Sequence, residues 1–169
     1  MKESIVIACF PGVGAKELYD KLGPERVSLN KIEPFYTTIN ENGSKIDNPN
    51  FAKDYVEHIQ SLIGIDETIL VSAHPVVLKE LIDAKVGFVL VYPDRSLKDE
   101  YMERYKQAGE DEEFLGIMND NWNRFIDDME HAENVVTYRL AGPNLYLEDT
   151  KMWVNLVYAR VEPPIEEDK

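Results

Sequence analysis

The residues whose spacing first suggests chemistry lie near the N-terminus. The run Cys9-Phe10-Pro11-Gly12-Val13-Gly14-Ala15-Lys16-Glu17-Leu18 joins an apolar stretch to a helical pattern. Glycines at such a junction let backbone N–H groups turn toward one point, and the N-terminus of the following helix adds partial positive charge there. That is the chemistry of a phosphate-binding loop, so Pro11, Gly12, Val13, Gly14, Ala15, Lys16 and Glu17 are the candidate nucleotide-binding residues. The complete motif, G-x-x-x-x-G-K-[ST], adds a lysine for the terminal phosphates and a hydroxyl for magnesium. With its second glycine on Gly14, Cys9 stands at the first glycine, Ala15 at the lysine and Lys16 at the hydroxyl. Lys16 is the candidate catalytic replacement for the missing lysine, although one step along a helix turns a side chain by about 100°. A glycine turn that merely joins a strand to a helix explains the loop equally well.

Other chemistry-bearing residues are scattered along the chain. Arg95, Lys98, Arg104 and Lys106 form its densest basic group. They suit a phosphate clamp, with Arg104 the strongest catalytic candidate, or a solvated helix face paired with Asp99, Glu100 and Glu103. His74 and Asp94 each follow an apolar run. His74 suits contact with an acceptor substrate or a helix entry bonded to backbone. Asp94 suits magnesium or proton transfer, or a helix N-terminus. Phe35 and Tyr36 are candidates to hold an acceptor, whereas packing is the expected role of Trp122, and Trp153 is open between the two. His58, His74 and His131 share no ligand spacing, so no metal site is expected. Cys9 reads as an inert, small apolar residue. The run Glu110-Asp111-Glu112-Glu113, with Asp127 and Asp128, reads as a solvated face or a surface for a basic protein partner.

The elements that must position these groups follow from hydrophobic pattern. Residues 4–10, 68–72 and 87–92 are continuous apolar runs and predict buried strands. Residues 26–29 predict a weaker strand, and residues 134–140 another. Helices are expected over 14–22, 51–63, 75–84, from Ser96 onward with a break at Gly109, and from about 111 to 131. Residues 31–48 form a polar excursion with an Asn42-Gly43 turn, which suggests a hairpin in which 35–39 alternates. Residues 150–161 fit a helix or an edge strand. Alternating strands and helices predict a three-layer α/β fold with a mainly parallel sheet covered on both faces, and ligands in such folds sit at the strands' carboxyl ends.

Several stretches together resemble the small P-loop nucleotide-kinase-like proteins often encoded by bacteriophages. They are Ala8-Cys9-Phe10-Pro11-Gly12-Val13-Gly14, Asn48-Pro49-Asn50-Phe51 with Tyr55-Val56-Glu57-His58-Ile59, Ile69-Leu70-Val71-Ser72-Ala73-His74, Leu90-Val91-Tyr92-Pro93-Asp94, and Glu103-Arg104-Tyr105-Lys106 with Asn119-Asp120-Asn121-Trp122. The resemblance implies a P-loop kinase-like core with a helical lid over about residues 95–130, and phosphoryl transfer from ATP, with Mg2+, to a nucleoside or nucleotide. Three departures accompany it. Ala15-Lys16 replaces the usual lysine and hydroxyl, Asn30 stands where an acidic residue is usual after the second strand, and no further basic residue lies near Ala108.

Composition sets the outer bounds. A chain of 169 residues suits one domain, expected over 1–161, followed by an acidic, proline-containing tail at 162–169. Acidic residues number 32 against 18 basic ones, for a formal charge of −14, which disfavours general nucleic-acid binding. No apolar run approaches the roughly 20 residues of a membrane span. The single cysteine fits a reducing compartment, so a cytoplasmic protein is expected, in the host cytoplasm if phage-encoded. Three functions remain open. One is a nucleotide-binding protein with a degenerate phosphate loop. Another is a kinase scaffold reused to bind a host protein. The last is an active kinase that uses Lys16.

Overall fold

The computed structural model describes residues 3–150. In chain order the elements are β1 (Ile5–Cys9), α1 (Ala15–Leu22), β2 (Val27–Leu29), β3 (Thr37–Ile39), β4 (Lys45–Asp47), α2 (Phe51–Leu62), β5 (Thr68–Ser72), α3 (Pro75–Asp83), β6 (Val89–Pro93), α4 (Lys98–Gln107), α5 (Glu112–Glu130) and β7 (Val136–Leu140). The continuous apolar runs become the central strands because both of their faces are covered. Val6, Ile7, Ala8 and Cys9 of β1 are all buried, as are Ile69, Leu70 and Val71 of β5.

The main sheet has five parallel strands in the order β2-β5-β1-β6-β7. β1 lies at its centre, in register with β5 from Ile5 opposite Thr68 to Cys9 opposite Ser72. The connection through α1 runs toward the β2 edge, and the later connections run the other way. Right-handed crossovers therefore place helices on both faces, as the alternating pattern predicts. β3 and β4 form a separate antiparallel hairpin around Asn42-Gly43. Its first strand starts two residues later than the alternation suggests, because Glu33–Phe35 closes into a single 3-10 turn.

α5 buries Met118, Trp122, Ile126 and Met129, a spacing that lines one side of a helix. Trp122 is 1% exposed, meets Phe10 edge-to-face at 5.5 Å between centroids, and donates its indole N–H to the Arg95 carbonyl. Its expected packing role is met. The region expected as a lid thus carries two helices whose inner residues belong to the core: Tyr101 and Tyr105 of α4 are buried as well. α4 also begins later than its sequence suggests. Asp94, not Ser96, supplies the cap, its Oδ1 accepting from the Ser96 amide, and a 3-10 turn at Arg95–Leu97 precedes the helix. No described helix is long and apolar enough to cross a membrane. Residues 151–161, Trp153 and the acidic tail lie outside the described residues.

Candidate functional site

The connection after β1 runs to one side of the sheet and that after β6 to the other, which places residues 10–14 at the carboxyl end of β1 beside this switch point, with Pro11 exposed, Gly12 half-buried and Phe10, Val13 and Gly14 buried. Gly12 (φ 89°) and Gly14 (φ 109°) both adopt left-handed backbone, which only glycine takes without strain. The loop's carbonyls are held from one side. Pro11 O accepts from the Tyr105 hydroxyl, Gly12 O from Arg104 Nη1 and Val13 O from the Leu147 amide, each at 2.7 Å. In a trans peptide the next residue's N–H points opposite to the carbonyl. The amides of Gly12, Val13 and Gly14 are therefore turned away from these three braces. The Val13 amide closes on Phe10 O at 3.2 Å. Those of Gly12 and Gly14, and of Ala15, Lys16 and Glu17 in the first turn of α1, have no acceptor among the described residues.

Arg104 organises the braced side. Its side chain is 11% exposed and its guanidinium lies over two rings, 4.4 Å from the centroid of Tyr101 and 4.0 Å from that of Tyr146. Besides Gly12 O it donates to Leu145 O at 2.9 Å and to Glu100 Oε2 at 3.2 Å. Glu100 in turn accepts from the Asn144 amide. One cation thus ties α4, the loop and residues 144–147 together. Aromatic rings fill the space beside the glycines. A Cβ on Gly12 would lie 3.0 Å from the Tyr101 and Tyr105 rings, and one on Gly14 would lie 3.1 Å from Tyr146. Burial pushes the Tyr101 hydroxyl up to about 12 and raises Tyr105 too. The Cys9 thiol, buried at the end of β1, is also pushed up to about 12, in keeping with an inert residue.

Lys16 faces elsewhere. Its ammonium is 2.9 Å from Asp20, one helical turn on, with the side chain 77% exposed. Asn30, at the position expected to be acidic, is occupied by structure. Its Nδ2 donates to Ser28 and to Leu70 O, so its Oδ1 is left to accept from His58 Nε2 at 3.2 Å. The buried Tyr55 hydroxyl donates to Asn30 O and accepts from the Ser72 amide, which joins the ends of β2 and β5. Asp94 accepts from Ser96 and lies 3.4 Å from Arg139. Hydrogen bonds from Ser96 hold its carboxyl below the usual range. Arg95 pairs with Asp127 and Glu130. Lys98 is half-buried at the start of α4, and Lys106 is exposed near its end. The basic group is thus dispersed: only Arg104 touches the loop.

Among the acceptor candidates, Tyr36 and His74 are brought together through Phe51, with edge-to-face contacts of 5.2 and 5.6 Å. His74 caps α3, its Nδ1 accepting from the Val76 amide, and burial lowers its pKa. Phe35 sits apart, between Tyr55 and His58. The acidic run starts α5, where Asp111 caps the Phe114 amide at 2.8 Å. No group of three or more His, Cys, Asp or Glu suited to a metal ion occurs among the described residues.

Sequence reasoning missed Tyr101, Tyr105, Tyr146 and Leu147. Tyr101 and Tyr105 carry a legible signal, two aromatics four residues apart on the helix that bears Arg104. Tyr146 and Leu147 sit in an aperiodic segment with none. No family model matches the chain, and no curated protein matches it.

Proposed function

We propose that this chain is a P-loop-kinase-like protein that binds a nucleotide, or a related phosphorylated ligand, through residues 11–17, with little or no phosphoryl transfer. The bracing of the Pro11, Gly12 and Val13 carbonyls carries this reading, because it turns the Gly12 and Gly14 amides the opposite way. Together with the first turn of α1 they form an N–H-lined concavity of the kind that holds phosphate oxygens.

The catalytic half of the motif is missing. Ala15 offers no charge, Lys16 is held by Asp20, and Arg104 spends its donors on carbonyls and Glu100. A phosphate group fits the amides. A magnesium ion does not fit the residues present, since a lysine replaces the motif's hydroxyl and Asp94 is engaged by Ser96 and Arg139. Phosphoryl transfer depends almost wholly on positioning and charge stabilisation. Loss of both groups costs several kcal/mol of barrier, roughly a thousand-fold or more in rate.

Amide NMR during an ATP titration tests the reading. The expected result is saturable shifts at Gly12 and Gly14 to Glu17, with no ADP formed. Installing Ala15→Lys with Lys16→Ser should then strengthen binding in the presence of magnesium. Absent shifts at these amides, or ADP formation that Lys16→Ala abolishes, would contradict it.

A further inference from the structure

A second place for a ligand lies at the β2 edge of the sheet, on the face of α1 that carries Lys16. An open cleft of about 480 Å³ is lined there by Lys16, Asp20, Asn30, Lys31, Pro34 and His58, with the Tyr19 ring and Leu29 as apolar wall. The cleft reverses the sign of the molecule. The chain carries 32 acidic and 18 basic residues, yet the lining holds two lysines against one carboxylate. That carboxylate, Asp20, is already spent on Lys16 at 2.9 Å. An ammonium has three donors, so Lys16 can hold Asp20 and an incoming oxyanion together. Lys31, also exposed, makes no ion pair among the described residues. His58 is fixed in place: its Nε2 is bonded to Asn30 Oδ1 and its ring rests on Phe35. A floor set by Asn30 and walls of Tyr19, Pro34 and Leu29 suit a flat, weakly polar body, while the lysines suit its charge.

We infer that this cleft binds a small aromatic phosphate monoester, with the phosphate between Lys16 and Lys31 and the ring against Tyr19 and Pro34. The inference does not rest on nucleotide binding by the loop, because it invokes side chains and none of the loop amides.

Phenyl phosphate is the probe, titrated into the full chain while amide and His58 ring signals are followed, with phenol and inorganic phosphate alongside. Saturable shifts at Lys31, His58 and the Asn30 side chain are expected, weaker for inorganic phosphate and absent for phenol. Lys31→Ala should weaken binding about tenfold, the usual worth of one charge-assisted contact. Asp20→Asn, which releases Lys16, should strengthen it. Both side chains are exposed, so both variants retain the fold. Shifts confined to Gly12 and Gly14 to Glu17 would overturn the inference without touching the loop reading. So would equal binding by phenol, no response through the millimolar range, or an Asp20→Asn variant that binds more weakly.

Discussion

Arg104 is a cation turned inward on the protein's own backbone. An arginine held ready for phosphate keeps its fork of donors open to the ligand, whereas this one grips Gly12 O, Leu145 O and Glu100 between two tyrosine rings. Its work is to set the loop's shape. Arg104→Leu should therefore cost about 2–4 kcal/mol of stability, since it orphans carbonyls and removes two ring contacts. Arg104→Lys should not rescue it, because an ammonium has neither the planar stack nor the fork. Urea denaturation reads both. Unchanged stability with weakened ATP binding would make Arg104 a phosphate clamp instead. Gly14→Ala should lose more than about 1 kcal/mol, because its φ of 109° excludes a Cβ that would also meet Tyr146 and the Leu147 backbone. Lys16→Ala should leave ATP affinity at the loop nearly unchanged, since its side chain faces Asp20 and the cleft at the β2 edge while its amide survives.

The elements differ in how plainly the sequence declares them. β1, β5 and β6 are legible because strands buried on both faces read as unbroken apolar runs. α5 is legible because Met118, Trp122, Ile126 and Met129 recur at helical spacing. β2 is short and only one of its residues is buried, so composition marks it faintly. The loop's glycines also announced the candidate site, and the rotation from Ala15 to Lys16 predicted that the lysine would point elsewhere. What could not be read is the far side of the loop. The contact of Leu147 with Val13 spans most of the chain, and nothing local in residues 141–149 announces it. Nor does sequence distinguish an arginine facing a phosphate from one facing a carbonyl, since both sit on the same helix face. α4 gives a test at this scale. Tyr105→Phe removes only the hydroxyl that holds Pro11 O, and should cost about 1 kcal/mol. It should also speed hydrogen exchange at Val13, whose amide closes on Phe10 O, whereas unchanged exchange would mean that the loop holds its shape without α4.

Across the described residues, titratable groups held away from their ordinary pKa values by burial or hydrogen bonds shape the pH range of stability. His74 is kept below its ordinary pKa by burial, so the unfolded chain takes up its proton first as pH falls through about 6.5. Asp94, held low by Ser96, adds a loss at lower pH as its carboxyl is protonated. On the alkaline side, Cys9 and Tyr101 keep their protons in the folded chain up to about 12, against ordinary values of 9.0 and 10.0. The unfolded chain releases them earlier, so stability falls as pH rises past those ordinary values. Urea midpoints should thus be highest in the neutral range and lower at about pH 5.5 and about pH 10. A midpoint still rising at the alkaline end would contradict the burial of Cys9 and Tyr101. The proposed function joins a loop that holds phosphate through backbone amides to a site without catalytic charge. Calorimetry of the unmodified chain with ATP, against adenosine, tests it most directly. Saturable heat with ATP, little changed by magnesium and absent with adenosine, is the expected result. No heat with ATP through the millimolar range, or equal heat with adenosine, would contradict phosphate binding by this chain.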